Sequence, residues 1–188
     1  MDVERVSEYL LAKFMVEEKL DHLDFLKCKL GLELLLINLS KIALIYTASF
    51  LTRMIVETAA VHIPYMILRN FAFGVHSESS FRCSLYSLLF FIGIPAIIKN
   101  GVILQESSLI LLYGILFVLI AAYAPGDSSK YKVGVKRRKK LKKESILVFL
   151  LFGAVMAMGI PLLYKNLIFA GLAIEILMVI PLAKKIII

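Results

Sequence analysis

Cysteine is scarce in this chain. Only Cys28 and Cys83 occur among 188 residues, and neither belongs to a C-x-x-C pair. That spacing argues against a disulfide framework and against a thiolate zinc site. Histidine is nearly as rare, at positions 22, 62 and 76, without the spacing of an H-E-x-x-H metalloprotease. No metal set remains, and no cofactor is implied. The chain opens Met1-Asp2-Val3-Glu4, acidic and with no short apolar run behind it. A cleavable signal peptide is therefore not expected.

Apolar residues fill the space. They make up 60% of the chain, above the roughly half of a soluble domain, and they come in long runs. The expectation is an all-α polytopic integral membrane protein, a single domain over residues 1–188. Six membrane segments are read at 31–52, 54–68, 84–98, 108–124, 145–163 and 167–183. Pro125, Pro161 and Pro181 punctuate ends, and Pro95 inside the third should kink it or end it early. Gly153-x3-Ala157 is a small-x3-small pair suited to close helix packing. Residues 1–29 carry five Lys or Arg against seven Asp or Glu. Val3, Val6 and Leu10, then Val16, Leu20 and Leu23, recur there at helical spacing. One or two amphipathic helices result, lying on the membrane surface or packed on the rest of the protein.

The net charge of +8 could suggest nucleic acid, but the excess is concentrated between apolar spans and reads as topology. Residues 130–143 hold nine Lys or Arg and no acid, which makes that basic loop cytoplasmic and puts both termini inside. Counting spans from it, His76 and Cys83 fall at the cytoplasmic mouth of the third segment of a multi-pass cell-membrane protein.

These two residues belong to a polar island, Arg69 to Cys83, between apolar regions. A thiol attacks a carbonyl as its thiolate, and a neighbouring imidazole is the usual device for making one near neutral pH. Seven residues of helix turn through roughly 700°, so His76 and Cys83 would share a face, yet with Cα atoms ~10 Å apart. Direct contact requires a bend, which Gly74 with Ser77, Ser79 and Ser80 could supply. His76 would be the base and later the acid, and the Gly74 N–H could help form an oxyanion site. At the start of a helix over 84–98, Cys83 would also feel the dipole that favours a thiolate. Arg69 could hold a substrate carboxylate or brace the loop. Glu78, Glu57, Glu33 and Asn38 are all open as orienting partners of the imidazole. Cys28, the rival thiol between Lys27 and Lys29, has its nearest histidine, His22, about 120° away around a helix. His62, beside Pro64, reads as structural.

Arg69, Gly74, His76 and Cys83, with Ser87 one turn on, resemble the R-x-x-x-G-G-x-H-A-x6-C-like core of the accessory gene regulator B family. Tyr123-Ala124-Pro125-Gly126-Asp127, the basic run and Leu141-Lys142-Lys143-Glu144-Ser145 are similar to that family's second block. Phe73 stands where the family usually has its first glycine, and Ser77 where it has alanine. The resemblance implies a membrane cysteine endopeptidase that processes autoinducing propeptides for quorum sensing, with His76 and Cys83 as a dyad and Arg69, Gly74 and Ser87 in support. The implied substrate is a small propeptide with an amphipathic leader and an acidic C-terminal tail. Lys136, Arg137, Arg138, Lys139 and Lys140 could capture that tail, although topology and anionic lipid explain the run without it. The bilayer is the other expected partner, a homodimer stays open, and no nucleic acid is expected. The competing class is a non-catalytic small transporter or scaffold subunit, with Glu33, Lys41, Glu57 and Glu175 lining a path.

Overall fold

The computed structural model describes residues 3–13, 21–73, 80–126 and 135–180. The described residues are helical and irregular, with no strand among them. The chain divides into two compact units, Met1–Thr47 and Ala48–Ile188.

The first unit holds α1 (Val3–Lys13) and most of α2 (His22–Leu51). The Ser7 hydroxyl donates to Glu33 at 3.3 Å, and Lys29 meets Glu8 at 2.6 Å. α1 therefore packs on α2, burying Ser7 and Leu11, with Val6 and Leu10 half-buried beside them. Val16 and Leu20 lie outside the described residues. α2 runs unbroken for 30 residues, so the segment expected to begin at 31 is the continuation of a helix that starts nine positions earlier. Its end is a left-handed turn at Arg53 (φ 55°), with the Met54 N–H on the Ser49 carbonyl at 2.8 Å.

The second unit contains α3 (Ile55–Ala72), α4 (Ser80–Leu88), a π-helical turn (Leu89–Gly93), α5 (Ile94–Lys99), α6 (Glu106–Tyr123), α7 (Val135–Ala157) and α8 (Leu162–Val179). Leu68, Ala72, Leu116, Ile120, Phe149, Leu172, Ile176 and Val179, drawn from α3, α6, α7 and α8, form its core. Pro95 does not end its helix. It has no N–H to give and its ring crowds the carbonyl of Phe91, and the ladder widens into the π turn just before it. Gly153 seats an aromatic ring instead of a second backbone: an added Cβ would lie 2.6 Å from the Tyr113 hydroxyl. Tyr113 stacks on Phe149 at 4.2 Å and donates to the Phe149 carbonyl. Ala157, the other half of the pair, is exposed.

α3 and α8 make the closest approach. A Cβ at Gly171 would stand 2.2 Å from the Val61 carbonyl oxygen, so backbone touches backbone there. Glycine is required by that contact alone. In the second turn of α8, Asn166 clamps the α5–α6 connection, accepting from the Leu104 N–H at 2.8 Å and donating to its carbonyl at 3.1 Å. Lys165 pairs with Glu106, and Lys99 with Glu57 at 2.6 Å, at this same end.

Three helices are long and apolar enough to cross a membrane: α2, α6 and α8. The expected six are not matched among the described residues, for identifiable reasons. α3 is interrupted by Glu57, His62, Pro64 and Arg69. The apolar stretch Ser84–Lys99 is shorter. α7 starts inside the basic run, so Lys136 to Lys143 are helix where a loop was expected.

α3 ends in a left-handed residue that is not glycine. Phe73 has φ 52° and its N–H caps the Arg69 carbonyl at 3.2 Å. A bulky side chain pays about 1–2 kcal/mol for this conformation. Two stability predictions follow from these backbone contacts. Gly171→Ala should lower the unfolding midpoint in detergent by the equivalent of about 1–3 kcal/mol, whereas Gly114→Ala, with open space around it, should not lower it. Phe73→Gly should be more stable than Phe73→Ala by about 1 kcal/mol, because alanine loses the ring and keeps the strain. Equal midpoints for those two variants would remove strain from the account.

Candidate active site

The chain reaches the polar island along α3, and the last turn of that helix is where several parts of the second unit converge. The Gly126 N–H donates to the Ala72 carbonyl at 2.7 Å, satisfying a group that the helix end leaves without an intrahelical partner. An added Cβ at Gly126 would sit 2.6 Å from the Phe73 carbonyl oxygen, so any other residue would push this turn away. Pro125, joined to Ala124 by a cis peptide, is fully buried. Its carbonyl accepts from the Arg138 guanidinium at 3.3 Å. The two blocks that carry the family resemblance are thus docked on each other, the Tyr123–Gly126 turn against the end of the helix bearing Arg69.

Arg69 points into this junction. Its Nη1 donates to Glu175 Oε2 at 2.8 Å, and the Glu175 side chain is wholly buried. The guanidinium also lies over the Tyr65 ring, 5.4 Å from its centroid, an arrangement that adds cation–π attraction to the charge pair. Tyr65 meets the edge of Phe91 at 4.9 Å, and His62 packs on the same ring at 4.5 Å. Phe91 belongs to the π turn that continues the helix of Cys83. Glu175 on α8, Arg69 and Tyr65 on α3, and Phe91 beyond α4 form one contiguous series.

Cys83 is the fourth residue of α4, which starts at Ser80, four positions ahead of the expected helix. Ser87 follows one turn later and is half-buried. Among the described residues, α3 stops at Ala72 and α4 runs from Ser80. The chain leaves helix at Phe73, one residue before the glycine expected to allow it. Gly74, His76 and Glu78 lie outside the described residues.

The other orienting candidates sit elsewhere. Glu57 is held by Lys99 near the opposite end of α3, twelve residues or ~18 Å of helix from Arg69. Glu33 accepts from Ser7 in the first unit, where Cys28 is exposed on α2. Lys136, Arg137, Arg138, Lys139 and Lys140 line the opening turns of α7, all exposed. Arg138 differs from its neighbours because its side chain reaches back to Pro125. Sequence reasoning named Glu175 among the acids that would line a transporter path. It did not find the partner, nor Tyr65, whose only signal was its place one turn before Arg69 on α3.

Comparison with known proteins agrees with these blocks. The accessory gene regulator B family model matches residues 4–179. An AgrB-like protein of Listeria monocytogenes is 31% identical over 97% of this chain and 88% of its own length. One from Clostridium acetobutylicum is 30% identical over 98% of this chain and 88% of its own. The accessory gene regulator protein B of Staphylococcus lugdunensis is 31% identical, covering 96% of this chain and 93% of its own length. No solved structure matches. With a match along nearly its whole length, and with both sequence blocks meeting at the end of α3, this all-helical chain belongs to the accessory gene regulator B family.

Proposed function

We propose that the chain is a membrane thiol endopeptidase that releases the C-terminal tail of a quorum-sensing propeptide and promotes ring closure of the remainder. The observation that carries this reading is the junction at the end of α3. There the Gly126 turn closes on Ala72, directly before the stretch that leads through His76 to Cys83 in the first turn of α4. Near neutral pH, His76 takes the Cys83 proton, and the thiolate attacks the carbonyl at the boundary between signal segment and tail. The C–N bond breaks as the imidazolium hands its proton to the departing amine. An acyl-enzyme thioester remains. A thiol of the propeptide displaces Cys83 from that carbonyl, closing a thiolactone; a serine hydroxyl would give a lactone. Thioester exchange is nearly isoenergetic, so the bond's energy is kept for the ring.

The active site faces the cytoplasm in this reading. Arg138 ties the basic opening of α7 to the Pro125 turn, so the end of α3 lies on the side where positive charge accumulates. Glu57, Lys99, Glu106 and Lys165 gather at the other end of α3 and α8. The competing transporter reading needs acids that face a common path. Glu175 is instead engaged by Arg69, Glu57 by Lys99 and Glu33 by Ser7, and no observation favours it.

Cys83→Ala and His76→Ala should each abolish tail release from a co-expressed cognate propeptide while inserting normally, and Cys28→Ala should leave it intact. A gel that resolves the tail decides this, and full cleavage by the Cys83 variant would sink the peptidase. The basic residues are separated from topology by Lys139→Gln/Lys140→Gln in nanodiscs of neutral lipid. If these exposed side chains hold an acidic tail, KM should rise with little change in kcat, by at most about thirtyfold at ~1 kcal/mol per exposed pair. The effect should shrink with added salt. Equal KM values for parent and variant at low salt would leave topology as the role of this pair.

A further inference from the structure

Arg69 is the last charged residue of α3 and stands seven positions before His76. It is held at both ends. Its carbonyl accepts the N–H of left-handed Phe73, the residue that redirects the chain, at 3.2 Å. Its guanidinium is pulled onto Glu175 at 2.8 Å and lies over Tyr65. Tyr65 in turn touches Phe91, on the segment that continues from Cys83. Glu175 is fully buried, and Leu172 and Val179, one turn before and after it on α8, are buried as well. A carboxylate buried in its ionised form needs a charged or hydrogen-bonding partner. This one is paired with Arg69, which also lies over the Tyr65 ring that meets Phe91.

Resting on the peptidase reading, we infer that Glu175 is a positioning residue of the thiol site: acting through Arg69, it fixes the direction in which the chain leaves α3 toward His76 relative to the helix that carries Cys83. It touches neither substrate nor the reacting atoms. α8 would then contribute to catalysis although it carries no member of the dyad. Arg69, which could have served to hold a substrate carboxylate, would serve an internal one.

The test uses the full chain in a Cys28→Ser background, reconstituted in nanodiscs, with iodoacetamide as the probe and the pH dependence of Cys83 alkylation as the readout. A thiol paired with imidazole reacts below neutral pH, and an isolated one titrates near ~8.5. His76→Ala calibrates the unpaired profile. Glu175→Gln, which keeps shape and removes charge, should move the midpoint toward that of His76→Ala and slow alkylation at pH 7 on the order of tenfold, as expected from the lost thiolate fraction. Glu175→Asp should recover part of the shift. A parent-like profile in Glu175→Gln, with His76→Ala displaced, would overturn the inference and leave the dyad standing. If His76→Ala itself matches the parent, the dyad falls and positioning falls with it. Should Glu175→Gln fail to insert, Arg69→Met/Glu175→Leu removes both charges at once, which buried pairs commonly tolerate. A parent-like profile in that double variant overturns the inference equally.

Discussion

A full charge inside an apolar bundle has to be answered by another. Glu175 has no exposed surface at all, and Arg69 keeps only 18% of its side chain exposed. Loss of either partner would leave the other uncompensated, typically at a cost of about 3–5 kcal/mol. This single requirement fixes the rotation of α3 and α8 about their axes. Arg69 meets α8 near one end of the contact, and the Val61 carbonyl, eight residues earlier, meets it at Gly171, where only a glycine permits the approach. The helix ends then bring Ala72 within reach of the Gly126 amide. The junction of the two sequence blocks is a consequence of a buried ion pair as much as of the blocks themselves.

Much of this was legible in the sequence because it depends on composition and local pattern. Long apolar runs predict helices and a membrane, and Arg69, Gly74, His76 and Cys83 together with Tyr123–Asp127 point to the family. Cys83 at the start of a helix follows from the apolar run behind it. What could not be read depends on long-range partners. The basic residues 136–143 look like a loop by charge, yet they are helix because lysine and arginine are good helix formers and Leu141 and Ser145 are buried on one face. Phe73 gives no local hint of a left-handed conformation. It is set by the contacts of Arg69 on one side and the Gly126 turn on the other. The same holds for the span count, where α3 carries Glu57 and Arg69, which pattern alone penalises and which Lys99 and Glu175 pair.

The two polar ends of the second unit are built differently. At one, Lys99, Glu57, Glu106, Lys165 and Asn166 stitch connections to helix ends through contacts that are exposed or half-buried. Exposed pairs of this kind contribute little individually, although the Asn166 clamp also satisfies backbone groups. At the other, the contacts engage the backbone carbonyls of two buried residues, Ala72 and Pro125, whose desolvation penalises any loss.

Both ends are reached by α6. Leu104 and Glu106 are fastened to α8 where α6 begins, and Gly126 is fastened to α3 where it ends. Its eighteen residues, ~27 Å of rise, therefore act as a ruler between two fixed marks. The connections on either side can change in length without moving the marks. A single residue inserted within α6 cannot, because it would advance the Pro125–Gly126 turn by ~1.5 Å and swing it through about 100°, away from the carbonyl it must meet.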